Sequence, residues 1–171
     1  MPPEQQTFRF DDDGETPNNP RLPLVLYRLP IALQGITDPA SVFEETFERH
    51  GWGDGWRNGI FDFLHFHTGA HEVLGIARGK ATVEFGGARG TTVELGMGDV
   101  AILPAGVGHR RISCSRDLLV VGAYPRNGGG AEHKTPTKVS HTAAVDAVAK
   151  VPLPEQDPVF GKDGPLMQLW K

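Results

Sequence analysis

The chain has 171 residues, of which 39% are hydrophobic and 22% charged. This is room for one well-filled core in an ordinary globular protein. Its net charge of -4, with Arg110-Arg111 the only adjacent basic pair, gives no electrostatic footprint for nucleic acid. A single cysteine, Cys114, excludes an intrachain disulfide and a thiolate zinc cluster, so any metal must be held by imidazole and carboxylate.

Residues Met1 to about Pro23 open on Met1-Pro2-Pro3-Glu4-Gln5-Gln6, which lacks the basic and apolar regions of a signal peptide. They are rich in turn formers, including Asp11-Asp12-Asp13-Gly14 and Pro17-Asn18-Asn19-Pro20, and read as an irregular arm over 1–23. Leu24-Val25-Leu26-Tyr27 follows as a first strand. A helix is expected from Thr37 or Asp38, with Pro39 in its first turn and Gly51 closing it. Phe43 and Phe47 lie four apart on one of its faces, so that face packs on something apolar.

From Ile60 to Tyr124 short β-branched and aromatic runs alternate with glycine-bearing turns. The expected strands are Ile60 to His67, Glu72 to Arg78, Ala81 to Phe85, Thr91 to Leu95, Val100 to Leu103, His109 to Ser113 and Leu118 to Tyr124. Helices do not alternate with them, which argues for an all-β, antiparallel, jelly-roll-like barrel with a few peripheral helices. A Gly-rich loop at Gly128-Gly129-Gly130 precedes a second helix over 140–151, and Leu166 to Trp170 reads as a returning edge strand. The chain is expected to form one domain over 1–171, with the core barrel in 59–125. The longest apolar run, Leu118 to Ala123, is too short to span a membrane, so a cytoplasmic protein is the plain expectation.

Four of the seven histidines fall in two blocks, His65-Phe66-His67-Thr68-Gly69-Ala70-His71-Glu72 and Gly98 to His109. On a strand His65 and His67 project from one face and can reach one ion. If Glu72 shares that face, Leu74 and Ile76 follow inward, with Val73, Gly75 and Ala77 outward. His71 competes, because a one-residue shift of register would exchange it for Glu72. A hard carboxylate beside imidazoles suits iron or manganese, which favours Glu72 and leaves His71 as a turn or hydrogen-bonding residue. The Pro104-Ala105-Gly106 corner delivers His109 as a fourth ligand. Arg111, two residues on, faces inward on a regular strand and could anchor an anionic group; a bulge or the barrel rim would leave it in solvent. Phe61 and Phe63 share the parity of His65, while Leu64 and Phe66 face outward and need cover from a helix, the arm or a second subunit.

Gly59, five residues, His65-x-His67, four residues, Glu72, six residues, Gly79 resembles the first cupin motif at every fixed position. Gly98, five residues, Pro104-x-Gly106, two residues, His109 resembles the second, with Ser113 where that motif usually carries Asn. Pro17-Asn18-Asn19-Pro20, Gly51-Trp52, Trp56 to Gly59, and Gly122 to Pro125 extend the likeness over nearly the whole chain, to small bacterial cupins of the YjlB-like type. The resemblance implies a double-stranded β-helix barrel with His65, His67, Glu72 and His109 around one divalent metal ion, Fe, Mn, Ni or Zn. It implies no particular reaction. Two open positions of an octahedron would suit a small-molecule substrate that chelates through oxygen, acted on by a dioxygenase or an isomerase, with Glu72 and Arg111 as catalytic groups. The alternatives are a non-catalytic module that captures a small ligand, and a purely structural metal. A homodimer is expected, and neither nucleic acid nor membrane is a partner.

Overall fold

The computed structural model describes residues 4–171. Eleven strands are numbered in chain order: β1 Glu4–Phe10, β2 Asn19–Arg28, β3 Trp52–Asn58, β4 Phe66–His67, β5 Glu72–Arg78, β6 Lys80–Phe85, β7 Thr91–Gly96, β8 Val100–Leu103, β9 His109–Cys114, β10 Leu119–Pro125 and β11 His133–Lys134. The helices are α1 Pro39–Arg49, α2 His141–Ala149 and α3 Leu166–Leu169. A six-stranded sheet runs β1-β2-β8-β5-β10-β3, a three-stranded sheet runs β7-β6-β9, and β11 pairs with β4. All these pairings are antiparallel.

Alternation along the strands divides the apolar residues into two clusters. Leu24 and Leu26 of β2, Leu74 and Ile76 of β5, Ala101 and Leu103 of β8 and Val120 of β10 meet Ala81, Val83 and Phe85 of β6 and Leu95 of β7 inside the barrel. The intervening Val25, Tyr27, Val73, Ala77, Ile102 and Val121 point outward, against Phe43, Phe47, Trp52, Val159, Leu166 and Trp170. The central strands β2, β8, β5 and β10 are thus buried on both faces, which is why β2 reads as a near-continuous apolar run. Helix α1 begins at N-cap Asp38 with proline in its first turn, and its fully buried Phe43 and Phe47 each contribute about 2–3 kcal/mol of apolar burial. The outer face of that sheet therefore has its cover from within this chain, and separately from it Phe66 is fully buried and Leu64 half-buried.

Of the expected irregular arm, Met1 to Pro3 lie outside the described residues; from Glu4 on it is a β-hairpin whose connection, 11–18, is irregular. β1 pairs with β2 from Glu4↔Arg28 to Phe10↔Asn19, with a register shift between Phe8 and Phe10. β1 lacks an apolar stripe because it is an exposed edge strand, so its pattern carried little signal. The turn-forming Asn18 and Asn19 are buried and hydrogen-bonded to distant backbone. The long strand expected over Ile60 to His67 shrinks to β4 and an isolated His65↔His109 bridge; before that, Arg111 supplies the hydrogen bonds, its backbone N–H donating to Phe61 and its guanidinium to the Ile60 carbonyl. The expected edge strand at Leu166 to Trp170 is α3, held because the Leu166 N–H donates to Asp157 and Tyr27 while Trp170 Nε1 donates to the Pro23 carbonyl. No helix among the described residues is long and apolar enough to cross a membrane.

Candidate metal centre

His65, His67, Glu72 and His109 are all buried and come together at one end of the barrel. The positions follow from pairing. His65 and His109 exchange both backbone hydrogen bonds, 3.2 and 2.9 Å, which sets their rings 4.0 Å apart. The Gly106 N–H donates 2.7 Å to the His67 carbonyl, tying the corner of the second block to the strand of the first. Gly106 has φ +91°, and a Cβ there would lie 2.4 Å from the Asn18 carbonyl oxygen, so only glycine fits. Asn18 completes the clamp: its Nδ2 donates to Asp11 and Gly86, and its Oδ1 accepts from the Gly108 N–H, one residue before His109. Asn19 Nδ2 donates to the Ala105 carbonyl.

The three imidazoles share one orientation. Nδ1 of His65, His67 and His109 faces the carbonyl of Phe63, Glu132 and Val107 at 2.9, 3.2 and 3.1 Å. A carbonyl only accepts, so each Nδ1 carries the proton and each Nε2 keeps its lone pair for the cavity. One ligand atom from each ring lies within 4.8 Å of those of the other two. Glu72 Oε2 stands 3.4 Å from His67 Nε2 and Oε1 3.3 Å from His109 Nε2, while Oε1 is buried without a hydrogen-bond partner.

Burial pushes His65 down to about 3, reinforced by His109 beside it. Burial also opposes charge on His67, but the Glu72 carboxylate outweighs it and raises that pKa. For Glu72 burial acts upward, yet the two imidazoles hold its carboxyl well below the usual carboxylate range. The set therefore offers three imidazole lone pairs and a carboxylate, a donor set that a divalent cation fits.

His71 lies outside this set. Its Nδ1 accepts from the Ala105 N–H at 2.9 Å, its Nε2 donates to the Pro152 carbonyl at 3.1 Å, and its ring lies 4.8 Å from that of Trp170. It is the hydrogen-bonding residue, on the opposite face of the sheet from Leu74 and Ile76.

A cavity of about 460 Å³ opens on the cluster, lined among others by Trp56, Phe61, Leu74, Arg111, Tyr124 and His133. Arg111 faces it because Val83↔Arg111 keeps the inward parity; the register skips Ile112, beyond the arginine. Phe61 and Phe63, 46% and 39% exposed, stack at 4.8 Å beside the His65 ring rather than filling the interior. Tyr124 and His133 were not singled out by the sequence. Tyr124 lies next to Glu72 by the register of β10 on β5, and His133 arrives through the two-residue ladder that pairs it with His67. Register with Glu72 was the available signal for Tyr124; a two-residue strand after a glycine loop offers none.

A small antiparallel barrel, with two histidine blocks whose imidazoles converge at one end, defines a cupin. The chain belongs to the YjlB family within that class. It is 38% identical over 172 residues to the uncharacterized protein YjlB of Bacillus subtilis (strain 168), covering 99% of each chain. No protein-family model matches. Among solved structures it is similar to acireductone dioxygenase from Bacillus anthracis with cadmium in its active centre, at 20% identity and TM-score 0.40, over 54% of this chain and 63% of that one. It is also similar to a DUF861 family protein from Thermotoga maritima, at 20% identity and TM-score 0.32, over 50% of this chain and 88% of that one.

Proposed function

We propose that the protein is a divalent-metal-dependent enzyme acting on a small substrate that chelates through oxygen, with His65, His67, Glu72 and His109 holding the ion. The observation that carries this reading is the pairing of three preset Nε2 lone pairs with a buried, unpartnered Glu72 oxygen on the wall of a 460 Å³ cavity. A structural ion needs no such space, whereas a substrate of modest size does. The bound ion would supply Lewis acidity or a redox centre. Arg111 would pair with an anionic group of the substrate: the Ile60 carbonyl engages one of its nitrogens at 3.3 Å, leaving further donors toward the cavity. Glu72 would serve as ligand and as base. The homodimer stays a proposal too: β1 forms the exposed edge of the large sheet, and light scattering at 18.5 kDa would refute it.

Elemental analysis of protein purified without added metal tests the centre. One divalent ion per chain is expected, lost in His65→Ala and His109→Ala with the far-UV spectrum retained. Full occupancy in either variant would reject the ligand set. Among the remaining outcomes, tight ion binding with no turnover of any chelating oxyacid or diketone would favour a capture module.

A further inference from the structure

Tyr124 is the one hydroxyl group on the cavity wall beside the four proposed ligands. Its surroundings aim it. Trp56 Nε1 donates to the Tyr124 hydroxyl at 2.9 Å, and because an indole N–H can only donate, the tyrosine oxygen is the acceptor there. The hydroxyl proton is then free for a second partner. β10 pairs with β5 through Gly122↔Leu74 and Ala123↔Val73, and that register continued puts Tyr124 alongside Glu72 on the same cavity wall. An ionised carboxylate only accepts, so a bond to Glu72 would run on from the first: Trp56 to Tyr124 to Glu72. The Tyr124 ring also meets the His67 imidazole edge-on, with centroids 5.8 Å apart and planes at 73°.

The neighbouring strand is shaped for this chain of donors. Trp56 on β3 lies opposite Gly122 on β10, and a Cβ at 122 would sit 2.1 to 2.6 Å from three atoms of the indole. The absence of a side chain lets the indole lie over the backbone, where its N–H reaches the tyrosine two residues on. A phenol ordinarily loses its proton only near pH 10, so at neutral pH the hydroxyl has a proton to donate.

We propose that Tyr124 is a positioning residue of the metal centre: with its lone pair engaged by Trp56, its hydroxyl donates to Glu72 and holds that carboxylate in the orientation that binds the ion. This rests on the reading of His65, His67, Glu72 and His109 as the ligand set. Outer hydrogen bonds of this kind support ligand affinity by about 10–100-fold.

The test is titration of the metal-free full chain with Co(II), following the visible absorption band, for wild type, Tyr124→Phe, Trp56→Phe and the double variant, with far-UV spectra as the control for folding. Tyr124→Phe should weaken Co(II) about 10-fold and alter the band; Trp56→Phe, which keeps the hydroxyl, should weaken it in the same direction. The double variant should be no weaker than Tyr124→Phe, because Trp56 acts through Tyr124. Affinity within twofold of wild type and an unchanged band in Tyr124→Phe would overturn the proposal, as would additive losses in the double variant. If Tyr124→Phe does not fold, unchanged affinity in Trp56→Phe overturns it. Absence of Co(II) binding to the wild type would instead remove the metal reading on which it rests.

Discussion

Asn18→Ala should destabilise the barrel more than its place in a turn-like Pro-Asn-Asn-Pro segment suggests. The side chain is 1% exposed and makes three hydrogen bonds to backbone: Nδ2 to Asp11 at 2.9 Å and to Gly86 at 3.0 Å, and Oδ1 from Gly108 at 3.0 Å. The last two are buried, and a buried group left without its partner costs about 1–3 kcal/mol. Two such losses and the part-buried third sum to about 4 kcal/mol, or about 8–16 °C in Tm for a chain of this size. Asn18 also has φ +50°, a conformation asparagine tolerates better than alanine. Asn18→Gly loses the same hydrogen bonds without that strain, and should recover about 1 kcal/mol relative to Asn18→Ala. Calorimetry or urea unfolding of both variants gives the comparison. Because Gly108 precedes His109, metal occupancy should fall alongside stability. A loss below about 1 kcal/mol in Asn18→Ala would refute the clamp.

Two further outcomes follow from buried polar groups. His71, held neutral by burial with its pKa lowered to about 4, must lose its Ala105 hydrogen bond when protonated. The unfolded chain takes up that proton first, near pH 6.5, so the contribution is complete above that pH and is lost as pH falls toward 4, by about 3 kcal/mol. Urea unfolding of wild type and His71→Asn between pH 7 and 4 should show the steeper acid loss in the wild type; parallel curves would contradict it. Tyr27→Phe removes a 2.5 Å bond to the fully buried Asp157 and should cost about 2–3 kcal/mol by the same assay.

The barrel and the common face of His65, His67 and Glu72 were legible because both depend on period and spacing. Leu74 and Ile76 inward with Val73 and Ala77 outward is strand alternation, and it separates Glu72 from His71. Pro39 and the Phe43/Phe47 pair likewise announce α1. What escaped lacks periodic signal. β1 buries apolar side chains only at its C-terminal end, Phe8 and Phe10, and Trp52 to Asn58 is a strand with two glycines, Gly53 and Gly55, whose Trp56 is accommodated by Gly122 on its neighbour. Asn18 and Asn19 carry the composition of a turn, yet their side chains complete backbone pairing more than 65 residues away. Around the centre, the Nδ1 contacts of His65 and His109 are local, to the second residue before each, whereas that of His67 depends on Glu132 and on tertiary pairing.

The outer face of β2 is closed by partners made much later in synthesis. Tyr27 waits 130 residues for Asp157, and the Pro23 carbonyl waits 147 for Trp170. Contacts so far apart in the chain slow folding, because loop closure must precede the gain. During translation the strand that carries Leu24 and Leu26 inward would present Val25 and Tyr27 to solvent until residue 170 has emerged. Cells therefore meet this barrel first as an incomplete sheet, and refolding rates should respond more to truncation after Asp157 than to changes at the metal end.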